Sequence, residues 1–202
     1  MNRFIYLIRH GELQTGGGKR FVGQIDLPLA DAGIKQAGSL ALELSRVRLT
    51  EIFCSDLSRS METGKIIGEK HKLIPRAVPE LREISLGDWE GRAFDEIKRK
   101  YPREFKSRGK DIANYRPPGG ESFADCSARA VEAFNKIAAL YRGNILIVGH
   151  AGVNRLILCH LLGMPLENIF RIGQDYGCLN VIFQGEQGFQ VKLMNRIFMG
   201  PG

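Results

Sequence analysis

At 202 residues and 44% hydrophobic content, the chain is long enough for one well-buried core and short for two. No apolar run approaches the ~20 residues that cross a bilayer, and the amino-terminal apolar run is too short for an export signal, so a cytoplasmic protein with no membrane partner is expected. The net charge of +7, from 29 basic and 22 acidic residues, suits anionic ligands; without a zinc knuckle, recognition-helix signature or aromatic RNA-binding motif, no nucleic-acid partner is expected.

The run Phe4-Ile5-Tyr6-Leu7-Ile8 predicts a buried strand that ends in Arg9-His10-Gly11-Glu12. The following loop, 14–20, holds three consecutive glycines whose amides can face a phosphate. Apolar spacing at Ile34, Ala37, Leu40, Ala41 and Leu44 predicts a helix over 30–46. A second strand, Glu51-Ile52-Phe53-Cys54, leads through Ser55-Asp56-Leu57-Ser58-Arg59 into a helix over 57–70. A short apolar segment near Ile74 precedes Pro79, and His71 is expected in solvent. The polar stretch from Glu83 to Glu121, with a short helix near 94–101, reads as an insertion over the site. The expected organisation is therefore a single domain over 1–202 with a lid-like insertion at about 84–121. Within it, Lys98, Arg99, Lys100, Arg103, Lys106, Arg108 and Lys110 read as a solvated helix face.

The longest predicted helix covers 122–141. A third strand, Asn144–Val148, ends at Gly149-His150-Ala151-Gly152 before another helix, and apolar runs near 178–183 and 189–194 predict a terminal hairpin. Alternating strands and helices imply an α/β fold, a mostly parallel sheet covered on both faces. The cysteines Cys54, Cys126, Cys159 and Cys178 lack paired spacing, so buried free thiols are expected, with no metal site and no cofactor.

Three parallel strands thus deliver Arg9 and His10, Arg59, and His150 to one sheet edge, the edge where open α/β sheets bind ligands. Converging cations at buried strand ends need partners, and an anion is the simplest one.

The strings Leu7-Ile8-Arg9-His10-Gly11-Glu12, Asp26-Leu27-Pro28-Leu29, Cys54-Ser55-Asp56-Leu57-Ser58-Arg59, Leu81-Arg82-Glu83, Pro117-Pro118-Gly119-Gly120-Glu121-Ser122 and Val148-Gly149-His150-Ala151-Gly152 resemble, in order, the histidine phosphatase superfamily, also called phosphoglycerate mutase-like. The resemblance implies a three-layer α/β/α sandwich and a metal-independent phosphomonoesterase acting on a small phosphate ester. It makes His10 the nucleophile that becomes a phosphohistidine, Glu83 the general acid, and Arg9, Arg59 and His150 the phosphate clamp. Glu83 read without the resemblance is a surface carboxylate paired with Arg82 or another basic residue. Glu90 and Glu121 are weaker acid candidates, Glu121 being better suited to ordering the Pro-Gly loop.

Leu13 stands where the family usually has threonine, and the glycine run falls where it has asparagine. One phosphate contact is therefore either lost or replaced by backbone amides, Lys19 or Gln24, and Gly11 and Gln24 are counted among the substrate-binding residues. Gly163-Met164-Pro165 and Gln174-Asp175-Tyr176-Gly177-Cys178-Leu179-Asn180 resemble late segments of α-ribazole phosphatases, which suggests α-ribazole 5′-phosphate as substrate. A phosphoglycerate mutase and a non-catalytic anion-binding regulator are the alternatives, and the protein is expected as a monomer or homodimer.

Overall fold

In the computed structural model, which describes residues 2–15 and 18–198, six strands form one mixed sheet. They are β1 (Arg3–Arg9), β2 (Leu49–Cys54), β3 (Arg76–Ala77), β4 (Asn144–Gly149), β5 (Leu179–Gly185) and β6 (Gly188–Arg196), in the order β3-β2-β4-β1-β5-β6. The first four run parallel, and the hairpin β5–β6 adds antiparallel to β1.

Helices α1 (Asp31–Leu44) and α2 (Ser58–His71) cover one face; α5 (Phe123–Leu140) and α6 (Ala151–Leu162) cover the other. Strand alternation decides this division. Ile5, Leu7, Ile145 and Ile147 pack towards α5 and α6, whereas Ile8, Leu146 and Val148 pack towards α1 and α2. Because β1 feeds a helix on one face and its neighbour β4 feeds a helix on the other, a crevice opens between their carboxyl ends, the switch point of an open α/β sheet.

The insertion is more ordered than its polarity suggested. It contains α3 (Phe94–Lys100) and a separate α4 (Pro102–Lys110), started by a proline at its first position. Trp89 is buried between Phe21 and Tyr115 and ties the insertion to the first loop. Ser122 and Asp125 form a reciprocal capping box that starts α5.

The apolar segment near Ile74 yields only the two-residue β3, and Ile74 itself is 87% exposed. His71, expected in solvent, is half-buried at the end of α2. The four cysteines are free and buried, as expected. Gly16 and Gly17, the first two of the three consecutive glycines, lie outside the described residues.

Candidate active site

Arg9 and Gly149 are register partners across β1 and β4, so the next residues, His10 and His150, leave the sheet side by side. Their rings meet edge to face with centroids 5.0 Å apart. His10 is 3% exposed, and its Nδ1–H donates to the Gly11 carbonyl at 2.7 Å. That bond fixes the tautomer and leaves the lone pair on Nε2. Burial, then the flanking Arg9 and Arg59, hold the His10 imidazole well below its ordinary pKa, so the ring is neutral.

His150 is fully buried and is not among the residues lining the cavity above His10. Its Nδ1 accepts from Arg59 Nε–H at 3.2 Å, and its Nε2 sits 2.6 Å from the Ser55 hydroxyl. Burial, then His10, Arg59 and Arg9, keep it neutral as well.

Arg59 stands in the first turn of α2, whose amino terminus is satisfied by the Asp26 carboxylate through Ser58 N–H at 2.8 Å. Although only 1% exposed, it forms no ion pair among the described residues; it donates to the carbonyls of Ile25 and Gly23, each at 2.7 Å, and to His150. Three of its five N–H donors are thereby used, and two remain for a ligand. Arg9 donates to the Gln174 carbonyl at 2.6 Å and lies face-on over Tyr176, 3.6 Å from the ring centroid. Its buried Nε–H finds no acceptor among the described residues.

The ambiguity over Glu83 is resolved by where Arg82 goes. Arg82 forks onto Asp56 and leaves Glu83 free to turn inward. The Glu83 carboxylate accepts from Gly152 N–H at 3.0 Å and Val153 N–H at 3.3 Å at the start of α6, and from its neighbour Ile84 N–H at 3.0 Å. Arg129 fixes the backbone beneath it, donating to the carbonyls of Arg82 (2.7 Å) and Glu83 (2.9 Å) while paired with Glu121.

Arg9, His10, Arg59 and Glu83 line one cavity of about 390 Å³. Gln24 and Gly11 are not among its lining residues. The Gln24 amide donates to the Glu83 carbonyl at 3.0 Å, and a Cβ on Gly11 would overlap the Gly33 carbonyl, so the close approach that requires glycine is to α1. Lys19 is exposed. Glu90 accepts from the backbone of Gln24 and Leu86, and Glu121 orders the loop at Ser85. Among the described residues no cluster of His, Cys, Asp and Glu has metal-binding geometry.

The sequence profile of the histidine phosphatase superfamily (branch 1) matches residues 5–197. The chain belongs to the histidine phosphatase superfamily. This histidine phosphatase is 29% identical over 197 residues to the adenosylcobalamin/alpha-ribazole phosphatase of Escherichia coli K12, covering 97% of each chain. It is 33% identical over 162 residues to a Yersinia pestis chain named "Probable phosphoglycerate mutase GpmB", covering 80% of this chain and 75% of that one. The crystal structure of the alpha-ribazole phosphatase from Shigella flexneri superposes with a TM-score of 0.88 at 31% identity, covering 98% and 99% of the two chains.

Three site-building residues escaped sequence reasoning. Nothing in the helix predicted over 122–141 sets Arg129 apart. Gln174 opens the segment 174–180 that resembles α-ribazole phosphatases but has no expected role; it is 3% exposed and bonds to Asn154 and Asn180 behind Arg9. Arg108 was grouped with the solvated basic face of the insertion, yet among those residues it alone turns into the cavity.

Proposed function

We propose that this histidine phosphatase is a metal-independent phosphomonoesterase that hydrolyses a small phosphorylated metabolite through a phosphohistidine, with α-ribazole 5′-phosphate as the leading substrate. The observation that carries the reading is the His10 tautomer. A buried, neutral imidazole with Nδ1–H tied to Gly11 offers Nε2 to an electrophile in the cavity.

In the first displacement, the His10 Nε2–P bond forms as the bond from phosphorus to the ester oxygen breaks. Arg9 and Arg59 hold the equatorial oxygens, and His150 completes the clamp from behind by holding Arg59 and backing the His10 ring. Glu83 gives a proton to the departing oxygen. In the second displacement, Glu83 takes a proton from water, the water oxygen bonds to phosphorus, the P–N bond breaks, and phosphate leaves.

The α-ribazole assignment is supported by the names of the full-length relatives and by an outer cavity wall of Phe21, Phe94, Phe123 and Phe170, which suits an apolar aromatic base. The mutase reading is supported by the Yersinia relative's name. We assign the chain to one domain over 1–202, with 84–121 as its lid. The free, buried cysteines favour a reducing compartment, the cytoplasm.

Phosphate release in EDTA, measured on α-ribazole 5′-phosphate, both phosphoglycerates and an aryl phosphate, tests the reading. Turnover that disappears in His10→Ala is expected, with α-ribazole 5′-phosphate giving the highest kcat/KM. Turnover retained in His10→Ala overturns the mechanism. Phosphoglycerate interconversion faster than phosphate release replaces hydrolase with mutase.

A further inference from the structure

The cavity holds more positive charge than one phosphate needs. Besides Arg9 and Arg59, it is lined by Arg20, Arg108 and Arg155, against the single acid Glu83. None of these five arginines forms an ion pair among the described residues. Glu83 accepts from the amino terminus of α6 and favours the charge on Arg155 without pairing with it, so one acid stands against five arginines.

The placement of Arg108 and Arg155 is built rather than incidental. The Arg108 guanidinium carbon lies 5.6 Å from the Phe21 ring centroid and 6.0 Å from that of Phe170; Arg155 lies 5.7 Å from Phe170. Aromatic faces hold a guanidinium without consuming its in-plane donors. Arg155 is further anchored by its Nε–H on the Ile172 carbonyl at 2.8 Å, which leaves its two terminal nitrogens for a ligand. The neighbouring basic residues Arg103, Lys106 and Lys110 of α4 are exposed, whereas Arg108 is partly withdrawn from water. Burial lowers the pKa of both Arg108 and Arg155, and Arg9 lowers Arg155 further, against a smaller opposing pull from Tyr115 on Arg108 and from Glu83 on Arg155.

The counter-charge then arrives with the ligand. One phosphate seated against His10, Arg9 and Arg59 leaves the outer pair unanswered. We propose that Arg108 and Arg155, with Phe170 between them, form a second anion subsite, and that beyond a singly phosphorylated ester such as α-ribazole 5′-phosphate the cavity also takes phosphomonoesters carrying a second anionic group, a carboxylate or a further phosphate, on an apolar body. The proposal rests on the phosphomonoesterase reading only for the identity of the first anion.

Direct binding tests it without turnover. Phenylphosphonate, its 4-carboxy and 4-carbamoyl derivatives and the 1,4-bisphosphonate, together with the matching biphenyl series, are titrated calorimetrically into the wild-type protein, Arg108→Gln, Arg155→Gln and the double variant. The carboxylate and carbamoyl ligands have nearly the same shape and differ in charge. At low salt the doubly anionic ligand is expected to bind at least tenfold more tightly than the carbamoyl one in at least one spacer series, with the advantage shrinking as salt is raised. The same comparison between carboxylate and bisphosphonate separates the two kinds of second anion. In the double variant the advantage is expected to fall below twofold. Equal affinities within twofold in both spacer series of the wild-type protein, or an advantage that survives in the double variant, overturns the proposal. Phosphate release from phenyl phosphate in EDTA, run in parallel, reports separately on the phosphatase reading.

Discussion

The backbone N–H of Gly152 donates to the Glu83 carboxylate at 3.0 Å, and a Cβ at position 152 would overlap that same carboxylate. The acid and the helix end were therefore fitted around a missing side chain. Gly152→Ala is expected to leave the fold intact and displace the acid. Its kcat/KM on alkyl phosphates should fall by roughly 10²-fold, the lower range of a general-acid contribution. On 4-nitrophenyl phosphate, whose leaving group needs no proton, the loss should be under tenfold. Equal losses on both substrates would contradict the role given to Glu83.

Arg129 offers a test of positioning at longer range. It touches no reacting atom but holds the carbonyls of Arg82 and Glu83 and pairs with Glu121. Arg129→Met should lower kcat more than it raises KM, with the same leaving-group dependence as Gly152→Ala. Arg129→Lys, which keeps the charge and loses the fork, should recover only part of the rate. A variant that changes only thermal stability would reduce Arg129 to a structural strut.

The two buried histidines give stability a definite pH dependence. Both are held neutral in the folded protein, well below the ordinary value of 6.5. In the unfolded chain each takes up a proton below about 6.5, so the unfolded state binds more protons there, and stability falls as the pH drops. The contribution is complete above that value, and its loss should be of order 1 kcal/mol per pH unit for each histidine. Urea unfolding between pH 7.5 and 5 measures it. His10→Gln should reduce the slope, and a slope unaffected by the substitution would show that His10 is not the buried neutral group described.

Gly11 is wedged against the backbone of Gly33, and Gly33 in turn against the backbone of Glu12. Gly11→Ala forces β1's exit away from α1 and moves His10 with it. A destabilisation of about 3 kcal/mol is expected, in the range of overpacking in a dense interior. Denaturant titration would register it as a lower midpoint with an unchanged slope, and a near-neutral result would mean that the first loop is softer than its packing implies.

The fold and the centre of the site were legible because strong local signals coincide there. Each of β1, β2 and β4 is an apolar run that stops at a charged, imidazole or hydroxyl residue, and parallel topology then brings the stops together. What escaped depends on distant partners. The direction taken by Arg108 is set by the aromatic rings of Phe21 and Phe170, and nothing within α4 distinguishes it from Lys106. Whether Glu83 faces water or the site turns on Asp56 capturing Arg82 from 26 positions away. The sequence brings His150 to the same sheet edge as His10, but its place behind Arg59 became visible only in three dimensions, as did the withdrawal of Gln24 to the Glu83 carbonyl.

One helix spaces the two ends of the cavity. Gly152, which receives the acid, and Arg155, which faces the outer wall, are three positions apart on α6, about 4.5 Å of axial rise. Helix pitch is among the least adjustable lengths in a protein, so α6 acts as a fixed gauge for the reach of a bound molecule. Arg108, by contrast, is carried on the insertion, whose helices can be lengthened or exchanged without disturbing that gauge. Descendants of such a chain could change which molecules they admit by rewriting one exposed stretch while the reacting end keeps its calibration.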